Sequence, residues 1–410
     1  MLILPLLLVF VAKDRFTEAE VSSVKIALGM IVKSLDSDDG LMRFIDNALM
    51  HGHKLDCVIV AYALQLDPRV EKRLKQKTQF FPINIKNPRY CIEQFRRRGI
   101  SGSTAKTLLE CPMSVEAHRG KVPYGFNRTV VTMEAILRGM DILFFVDSDV
   151  YPSVLTTTPD GPVFEDVDFF GAHLEHIDSG AMVTTSEYSG YNILPPSVFD
   201  GMEDLLHGLQ KVDMLEYWKD SMRHKCLTFQ PPVREPKPCA KILGGNTALK
   251  LSAFSVLPPF FSSYYMLGEE LFLCRGEDTV LGMGISNTGI VCTDIGLNPM
   301  HDTYDDYPAE PDLPGNPVIQ DRFYYACTGW VGRNPFLNYI RGADLQSVKE
   351  FQRGSLERGL RALAEYTKNP KFYGVMRNFD VSWDSLGRYI NEYEQTLEAW
   401  DEFREGSDLT

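Results

Sequence analysis

The stretch from Asp141 to Pro152 constrains the fold of this chain more than any other. Its apolar run Ile142–Val146 indicates a buried strand, and the run is followed directly by the triplet Asp147-Ser148-Asp149. In an open α/β sheet, ligands bind at the carboxyl ends of the strands. Two carboxylates at such an end suit a hard divalent cation that also holds substrate phosphates. Because Asp is also common in turns, the triplet alone leaves a purely structural role open.

Strand-like and helix-like patterns alternate through the first half of the chain, which is typical of a mostly parallel sheet covered by helices. The predicted strands are Leu4–Val11, Cys57–Ala63, Phe80–Ile85, Ile142–Val146 and Val167–Ala172. The predicted helices are Thr17–Leu35, Gly40–Gly52, Arg128–Gly139 and residues 203–222, followed by a mainly helical stretch from Ala343 to Glu405. The expected fold class is therefore α/β, with a Rossmann-like, mostly parallel sheet, flanking helices and a helical C-terminal extension.

The charge balance limits the classes of partner. The 410 residues include 42 Lys and Arg against 55 Asp and Glu, which gives a net charge of −13. Such a balance argues against a nucleic-acid-binding surface. Phosphates bound by so acidic a chain have to be neutralised locally, by a bound metal and a few placed basic side chains.

Cysteine use and the N-terminal segment both indicate a cytoplasmic protein. The eight cysteines form no Cys-x-x-Cys pair, and several lie in apolar runs, as is typical of buried reduced thiols. The apolar residues 1–12 lack the basic region and the cleavage pattern of a signal peptide, and they are too short to span a bilayer. They are interpreted as a buried strand, and no other segment is predicted to cross a membrane.

Four short motifs follow one another along the chain. They are the triplet at 147–149, Leu243-Gly244-Gly245-Asn246, Gly276-Glu277-Asp278-Thr279 and Met300-His301-Asp302. Each is weak alone, but in this order and on an α/β pattern they resemble the GT-A glycosyltransferases, especially the family 2-like group. The resemblance implies a GT-A catalytic domain over residues 1–305, with a nucleotide-sugar half (1–173) and an acceptor and catalytic half (174–305). Residues 306–410 would form a loop and the helical extension.

The resemblance implies that three of these side chains serve a metal and a nucleotide donor. Asp149 would bind Mn²⁺ or Mg²⁺ directly, and Asp147 would contact the donor ribose or a metal-bound water. His301 would supply a further contact to the metal or the diphosphate. The ion would stabilise, as a Lewis acid, the charge that builds on the departing diphosphate. A lone His on a loop is also commonly a polar surface residue, and that alternative stays open for His301.

The remaining motifs are expected to hold the sugar and the acceptor. Gly245 and Asn246 would bring the backbone close to the sugar, because glycine has no Cβ, although a tight turn would use the same residues. Glu277 and Asp278 would open a helix and form the catalytic acidic pair. In inverting members the Asp of this motif takes the proton of the acceptor hydroxyl as general base. Carboxylates also stabilise helix N-termini without any catalytic role.

Further donor contacts are expected from side chains outside the motifs. Lys121, Asn127 and Arg128 lie before and within the helix that precedes the triplet, where the resemblance places contacts to the base and the ribose. Lys13–Arg15 follow the first predicted strand, at a sheet edge suited to a nucleotide. The chain departs from the family pattern after its second predicted strand, where Asp67 at most stands in for an acidic pair. The nucleotide base is therefore left undetermined.

Together, these expectations predict a metal-dependent glycosyltransferase that moves a hexose, with mannose as one option, from a GDP- or UDP-sugar to a hydroxyl. The expected acceptor is a glycan or a small polyol; peripheral membrane association and a homodimer are left open. Two alternatives remain. A sugar-1-phosphate nucleotidyltransferase shares the nucleotide sheet and the metal carboxylates, although the turn Ala12–Arg15 lacks the glycine usual in that class. The other alternative is a non-catalytic binding protein on a transferase scaffold, against which the intact Asp147, Asp149, Asp278 and His301 argue.

Overall fold

The computed structural model describes residues 24–113, 116, 119–158, 161–191, 193–215, 235–305 and 309–409. The strands are β1 (Ile26–Val32), β2 (Cys57–Tyr62), β3 (Phe80–Asn84), β4 (Ile142–Val146), β5 (Val150–Thr158), β6 (Gly161–Asp166), β7 (Val183–Thr185), β8 (Lys237–Pro238), β9 (Asn246–Lys250), β10 (Tyr264–Leu267), β11 (Glu270–Leu273), β12 (Cys292–Asp294) and β13 (Pro299–His301). The helices are α1 (Asp39–Met50), α2 (Pro68–Lys77), α3 (Arg89–Arg98), α4 (Gly102–Leu109), α5 (Tyr124–Leu137), α6 (Phe169–Asp178), α7 (Met202–Gly208), α8 (Glu277–Thr288), α9 (Pro317–Ile340), α10 (Leu345–Thr367), α11 (Val375–Asp384) and α12 (Leu386–Gly406). No helix within these ranges is long and apolar enough to cross a membrane.

A mostly parallel sheet organises the described residues, with eight strands in the order β3-β2-β1-β4-β9-β7-β12-β8. β1 pairs in parallel with β2 and β4, whereas β9 runs antiparallel to both of its neighbours, β4 and β7. A smaller antiparallel sheet joins β13, β5 and β6. The predicted α/β class, with a mostly parallel sheet, flanking helices and a helical C-terminal extension, is confirmed.

Helices cover both faces of the sheet because its central strands are apolar on both sides. In β1, Ala27 and Ile31 belong to one hydrophobic cluster, whereas Leu28 and Met30 belong to the cluster on the opposite face. Helices α3, α4, α5 and α12 contribute to the first cluster, and α1 and α6 contribute to the second. Such burial on two sides is typical of strands in a parallel sheet.

The C-terminal helices build a further core of their own. Phe323, Trp330 and Phe372 are buried there together with side chains of α7. Phe261 and Tyr265, which precede the predicted boundary at residue 305, belong to the same cluster. Residues on both sides of the predicted boundary at 305 therefore share one hydrophobic cluster. The division into 1–173, 174–305 and 306–410 stays a prediction.

The predicted helix Thr17–Leu35 is wrong over its described part, because Ile26–Val32 forms the central strand β1. The apolar residues of this segment fit a helical stripe, but they also form the continuous run Ile-Ala-Leu-Gly-Met-Ile-Val. A short continuous apolar run is typical of a strand buried on both faces, and periodicity alone does not separate the two structures. The predicted strand Leu4–Val11 lies outside the described residues.

Two other predicted elements differ from the structure. Val167–Ala172, predicted as a strand, contains the start of α6, where the side chain of Asp168 accepts a hydrogen bond from the Gly171 N–H and caps the helix. Such an N-cap satisfies an otherwise unpaired backbone donor and favours helix at this point. The predicted helix at 203–222 is shorter: α7 ends at Gly208, a 3₁₀ turn follows at Val212–Met214, and residues 216–222 lie outside the described ranges.

Candidate active site

A cleft of about 1390 Å³ opens at the carboxyl ends of β1 and β4. Asp147, Asp149, Glu277, Asp278 and His301 all line it, together with Arg128. The chain therefore brings the triplet, the acidic pair and the predicted histidine to one place. The cleft exceeds the usual range of roughly 300–1,000 Å³ for a pocket that holds one small ligand.

Asp149 and His301 are held side by side by the small antiparallel sheet. β5 begins at Val150, directly after Asp149, and His301 in β13 lies opposite Val150 in the register of that sheet. The Asp302 N–H also donates to the Asp149 carbonyl at 2.9 Å. As a result, His301 Nε2 lies 3.2 Å from Asp149 Oδ2. Sequence order alone predicts no such contact, since it depends on the pairing of β13 with β5.

Asp149 and His301 each stabilise the charged form of the other. Burial opposes ionisation of the Asp149 carboxyl, but the hydrogen bond and charge of His301 outweigh it and hold the pKa of Asp149 below its ordinary value. Burial also opposes protonation of His301, but Asp149 and, less strongly, Asp147 raise the pKa of its imidazole. Arg322 of α9 adds a positive charge, with Nη2 at 3.6 Å from Asp149 Oδ2.

Arg128 joins the triplet to the acidic pair. Its Nη2 lies 3.1 Å from Asp147 Oδ1, and its Nε lies 3.2 Å from Glu277 Oε1. Its Nη1 donates to the Gly244 carbonyl at 2.5 Å. Burial disfavours the charge, but the carboxylates of Asp147 and Glu277 raise the pKa of Arg128. The side chain thus fixes two predicted site residues in place, and it also lines the cleft as the expected donor contact would.

Glu277 and Asp278 form the first turn of α8, as predicted, but their surroundings differ. Gly276 precedes the helix with φ of 96°, a left-handed conformation that favours glycine. Glu277 is buried against Arg128, and burial together with the charge of Asp278 raises the pKa of Glu277. Asp278 is half-buried and its Oδ1 accepts from the Thr279 N–H at 2.7 Å. Asp278 is therefore the more exposed member of the pair on the cleft wall.

The Gly-Gly-Asn motif lies beside the triplet because β9 pairs with β4. Asn246 is opposite Val146, so Gly245 comes next to Asp147. A Cβ at Gly245 would lie 2.3 Å from Asp147 Oδ2 and 2.8 Å from the Tyr188 hydroxyl, so the close approach requires glycine. Asn246 is fully buried, and its Oδ1 lies 3.1 Å from His173 Nε2, behind the cleft wall.

Gly245 and Asn246 are not among the residues that line the cleft, and two further predicted donor contacts also lie away from that lining. Lys121 donates from Nζ to the Leu271 carbonyl. Asn127 is fully buried, and within the described residues its side-chain amide atoms have no hydrogen-bond partner. The expected contacts of both residues to the base and ribose remain predictions.

The donor set at Asp149 fits a divalent ion that is shared with a ligand. In the described part of the chain, no group of three His, Cys, Asp or Glu side chains is placed to hold a metal by itself. Asp149 and His301 offer one carboxylate and one imidazole on the cleft wall. Mg²⁺ typically takes only one or two carboxylates from the protein and completes its shell with water and substrate phosphates. The arrangement therefore suits Mn²⁺ or Mg²⁺ bound together with a diphosphate.

Several cleft residues were missed by the sequence interpretation. Lys33 and Asp36 follow β1 and line the cleft, in the place that the prediction gave to Lys13–Arg15, which lie outside the described residues. Arg322 and Arg333 reach the cleft from α9. Recognition of Ile26–Val32 as a strand would have pointed to Lys33, whereas nothing in the sequence indicates how α9 packs.

Comparisons with known proteins give a limited likeness. No protein-family model matches the chain, and no curated protein matches it significantly. A crystal structure described as a mycobacterial protein is similar, with 14% identity, coverage of 75% of each chain and a TM-score of 0.35. Glucosyl-3-phosphoglycerate synthase from Mycobacterium tuberculosis with Mg²⁺ and UDP shows 13% identity, coverage of 78% of this chain and 80% of that chain, and a TM-score of 0.37. The same enzyme with Mn²⁺, UDP and phosphoglyceric acid shows 13% identity, the same coverage and a TM-score of 0.36. Sequence identities and TM-scores this low assign neither a family nor an activity to this chain.

Proposed function

We propose that this chain is a metal-dependent GT-A glycosyltransferase that moves a hexose from a UDP- or GDP-sugar to an acceptor hydroxyl. One observation carries the proposal. The carboxylates at the end of β4 and at the start of α8 share a cleft with His301 and several arginines, although they come from separate parts of the chain. An α/β sheet binds its ligand at the carboxyl ends of its parallel strands, and the paired carboxylates lie at such an end.

The donor would bind at the Asp149 side of the cleft. Asp149 and neutral His301 would hold Mn²⁺ or Mg²⁺ together with diphosphate oxygens, and the bound ion would act as a Lewis acid toward the departing diphosphate. Arg322 lies on the same side and would neutralise further negative charge. Asp147, held by Arg128, would accept a hydrogen bond from the donor ribose or from a metal-bound water.

The transfer step would take place at the Asp278 side. Asp278 would accept the proton of the acceptor hydroxyl as the oxygen forms a bond to the sugar C1. The bond between C1 and the diphosphate oxygen breaks in the same step, which inverts the anomeric configuration. Glu277 faces Arg128 and would position the helix start rather than take the proton.

A thermal-shift panel of GDP, UDP, CDP and ADP, each with and without Mn²⁺, tests this function. A ligand at 100 times its Kd stabilises the native state by about 2.7 kcal/mol, so one diphosphate should raise Tm when metal is present. Asp149→Asn should remove that shift. Asp321→Asn, which changes an exposed carboxylate on α9 outside the cleft, should keep it. The proposal fails if none of the four diphosphates raises Tm, with or without metal.

A further inference from the structure

Two cysteines face each other at the β8 edge of the central sheet. β8 pairs antiparallel with β12, and Pro238 lies opposite Thr293. The same register places Cys239 opposite Cys292, and the Cys239 N–H donates to the Cys292 carbonyl at 3.0 Å. Their sulfur atoms lie 3.4 Å apart. The two thiols are therefore in direct contact, although they are 53 positions apart in the sequence.

The backbone spacing of this pair suits a disulfide bond. Directly opposed residues of an antiparallel pair have Cα atoms roughly 4.5–5.5 Å apart. Disulfide-bonded cysteines usually have Cα atoms about 4.4–6.8 Å apart, so the two ranges overlap. A bond between the two sulfur atoms requires them to approach each other by about 1.4 Å from their present separation. Rotation of the two side chains supplies such a movement while the strands stay paired.

Cys239 is the more accessible member of the pair. In the part of the chain that the structure describes, Cys239 is half-buried whereas the other cysteines, including Cys292, are buried. The hydrogen bond from the Cys292 thiol lowers the pKa of Cys239, although burial opposes its thiolate. Burial instead raises the pKa of Cys57 and of Cys274 to about 12. Because the thiolate is the form that attacks a disulfide, Cys239 is better suited to react than these buried thiols.

The strand that carries this thiol leads directly into the cleft wall. β8 is a two-residue strand at the edge of the sheet, next to β12. After Cys239 the chain continues through Ala240–Gly244, and all five of these residues line the cleft. The Ala240 carbonyl packs so closely on α8 that a Cβ at Gly282 would collide with it. Gly282 lies about one helical turn after Asp278, so this segment adjoins the helix of the candidate base.

We propose that Cys239 and Cys292 form a reversible disulfide, with a low-molecular-weight disulfide such as glutathione disulfide as the oxidant, and that the bond holds Ala240–Gly244 against α8. The Cys239 thiolate attacks one sulfur of the oxidant, and the first small thiol leaves as a mixed disulfide forms. The Cys292 thiol then loses its proton, attacks the Cys239 sulfur and expels the second small thiol. Two protein thiols are oxidised, one small disulfide is reduced to two thiols, and these carry away both protons. The site does not depend on the proposed transferase function.

Thiol titration in denaturant, after incubation of the full chain with glutathione disulfide, tests for the bond. The protein should lose two of its eight thiols, peptide mapping should find Cys239 linked to Cys292, and dithiothreitol should restore both thiols. Cys292→Ala should instead retain one glutathione on Cys239, because the thiol that expels it is missing. Cys111→Ala, which removes a buried thiol elsewhere, is the matched control and should still lose two thiols. An unchanged thiol count, or a bond between other cysteines, would overturn the proposal.

Hydrogen exchange tests the effect of the bond on the cleft wall. The backbone amides of Ala240–Gly244 should exchange several-fold more slowly in the oxidised protein than in the reduced protein, whereas those of α12 should be unchanged. Because the bond closes a long loop, oxidation should also raise Tm by roughly 2–5 °C. Cys239→Ser, treated with the same oxidant, should show neither change. Equal exchange rates at 240–244 with the bond formed would contradict the claim that it holds this segment in place.

Discussion

At the scale of single residues, Arg128 connects the two acidic motifs of the cleft. Its side chain is only 2% exposed and lies between Asp147 and Glu277. A buried cation with two carboxylate partners is hard to remove, because its loss leaves two acidic groups without their counter-charge. The residue predicted as a donor contact therefore also holds the two acidic motifs together.

Arg128→Met should lower the free energy of unfolding by about 3–5 kcal/mol, the usual effect of breaking a buried ion pair. Adding Glu277→Gln should restore part of the loss, because one of the two abandoned carboxylates becomes neutral. Urea unfolding at neutral pH measures both. As a control, Arg69→Met removes an exposed partner of Asp67 and should leave the unfolding midpoint unchanged. A double variant no more stable than Arg128→Met would argue against coupling between Arg128 and Glu277.

Gly245 is a second residue at which the structure makes a definite prediction. The Cβ of an alanine would lie 2.3 Å from Asp147 Oδ2, so the carboxylate, whose Oδ1 accepts from Arg128, would have to shift. We expect Gly245→Ala to lose about 1–3 kcal/mol of stability, as overpacked sites usually do, and to weaken metal-dependent diphosphate binding. Gly387→Ala in α12 is the control, since no atom lies within 4 Å of the new Cβ. Unchanged binding by Gly245→Ala would separate the Asp147 position from donor recognition.

At the scale of elements, the sequence predicted those parts whose local pattern has only one interpretation. The strand at Ile142–Val146 and the helix ending near Gly139 were found because length, period and the glycine after the helix agree. β1 was missed because its apolar run also fits a helical stripe, and only its two-sided burial in the sheet decides between them. Val167–Ala172 was misassigned because a local cap, not the apolar pattern, determines the start of α6.

The candidate site shows the same division between local and tertiary information. The triplet and the acidic pair were identified from their own motifs, and the structure places them on one cleft. Arg322, Arg333 and Lys33 were missed, because their positions depend on the packing of α9 and on the identity of β1. Local motifs therefore indicate the acidic residues of the site, whereas its basic residues other than Arg128 follow from tertiary structure.

His173 ties three elements together directly behind the site. This residue of α6 lies with Nδ1 at 2.8 Å from Thr184 Oγ1 of β7 and Nε2 at 3.1 Å from Asn246 Oδ1 of β9. Its imidazole is fully buried, and burial, only partly offset by the hydrogen bond to Asn246, lowers the pKa of His173 to about 4. The folded protein therefore keeps this imidazole neutral at a pH where the unfolded chain is already protonated.

The stability contributed by neutral His173 should be complete above pH 6.5 and should be lost as the pH falls toward 4. A difference of this size in pKa corresponds to a loss on the order of 3 kcal/mol across that window. We expect His173→Gln, which does not titrate, to be less stable than the wild type at pH 7 and to approach it near pH 4.5. Urea unfolding at several pH values gives the difference. A difference that stays constant with pH would contradict the assignment of this titration to His173.

At the scale of the whole molecule, the C-terminal helices pack against the core that lies under the sheet. Trp400 of α12 packs on Phe254 with ring centroids 5.8 Å apart, and its Nε1 donates to the Leu257 carbonyl at 3.2 Å. Phe403 stacks on Phe95 of α3 with ring centroids 5.4 Å apart. These contacts join α12 to the cluster under the central sheet, while α9 supplies arginines to the cleft.

Because of this packing, we expect the chain to unfold in one transition rather than in two steps divided near residue 305. Trp330, Trp383 and Trp400 lie in the C-terminal extension, so tryptophan fluorescence reports mainly on its helices, whereas far-UV circular dichroism reports on all elements. The two probes should give the same urea midpoint, as two-state unfolding requires. Trp400→Ala should lower both midpoints together, since removal of a buried aromatic side chain typically loses about 3–5 kcal/mol. A fluorescence transition that precedes the loss of circular dichroism would show instead that the extension unfolds independently and that the boundary predicted from the sequence is a true domain boundary.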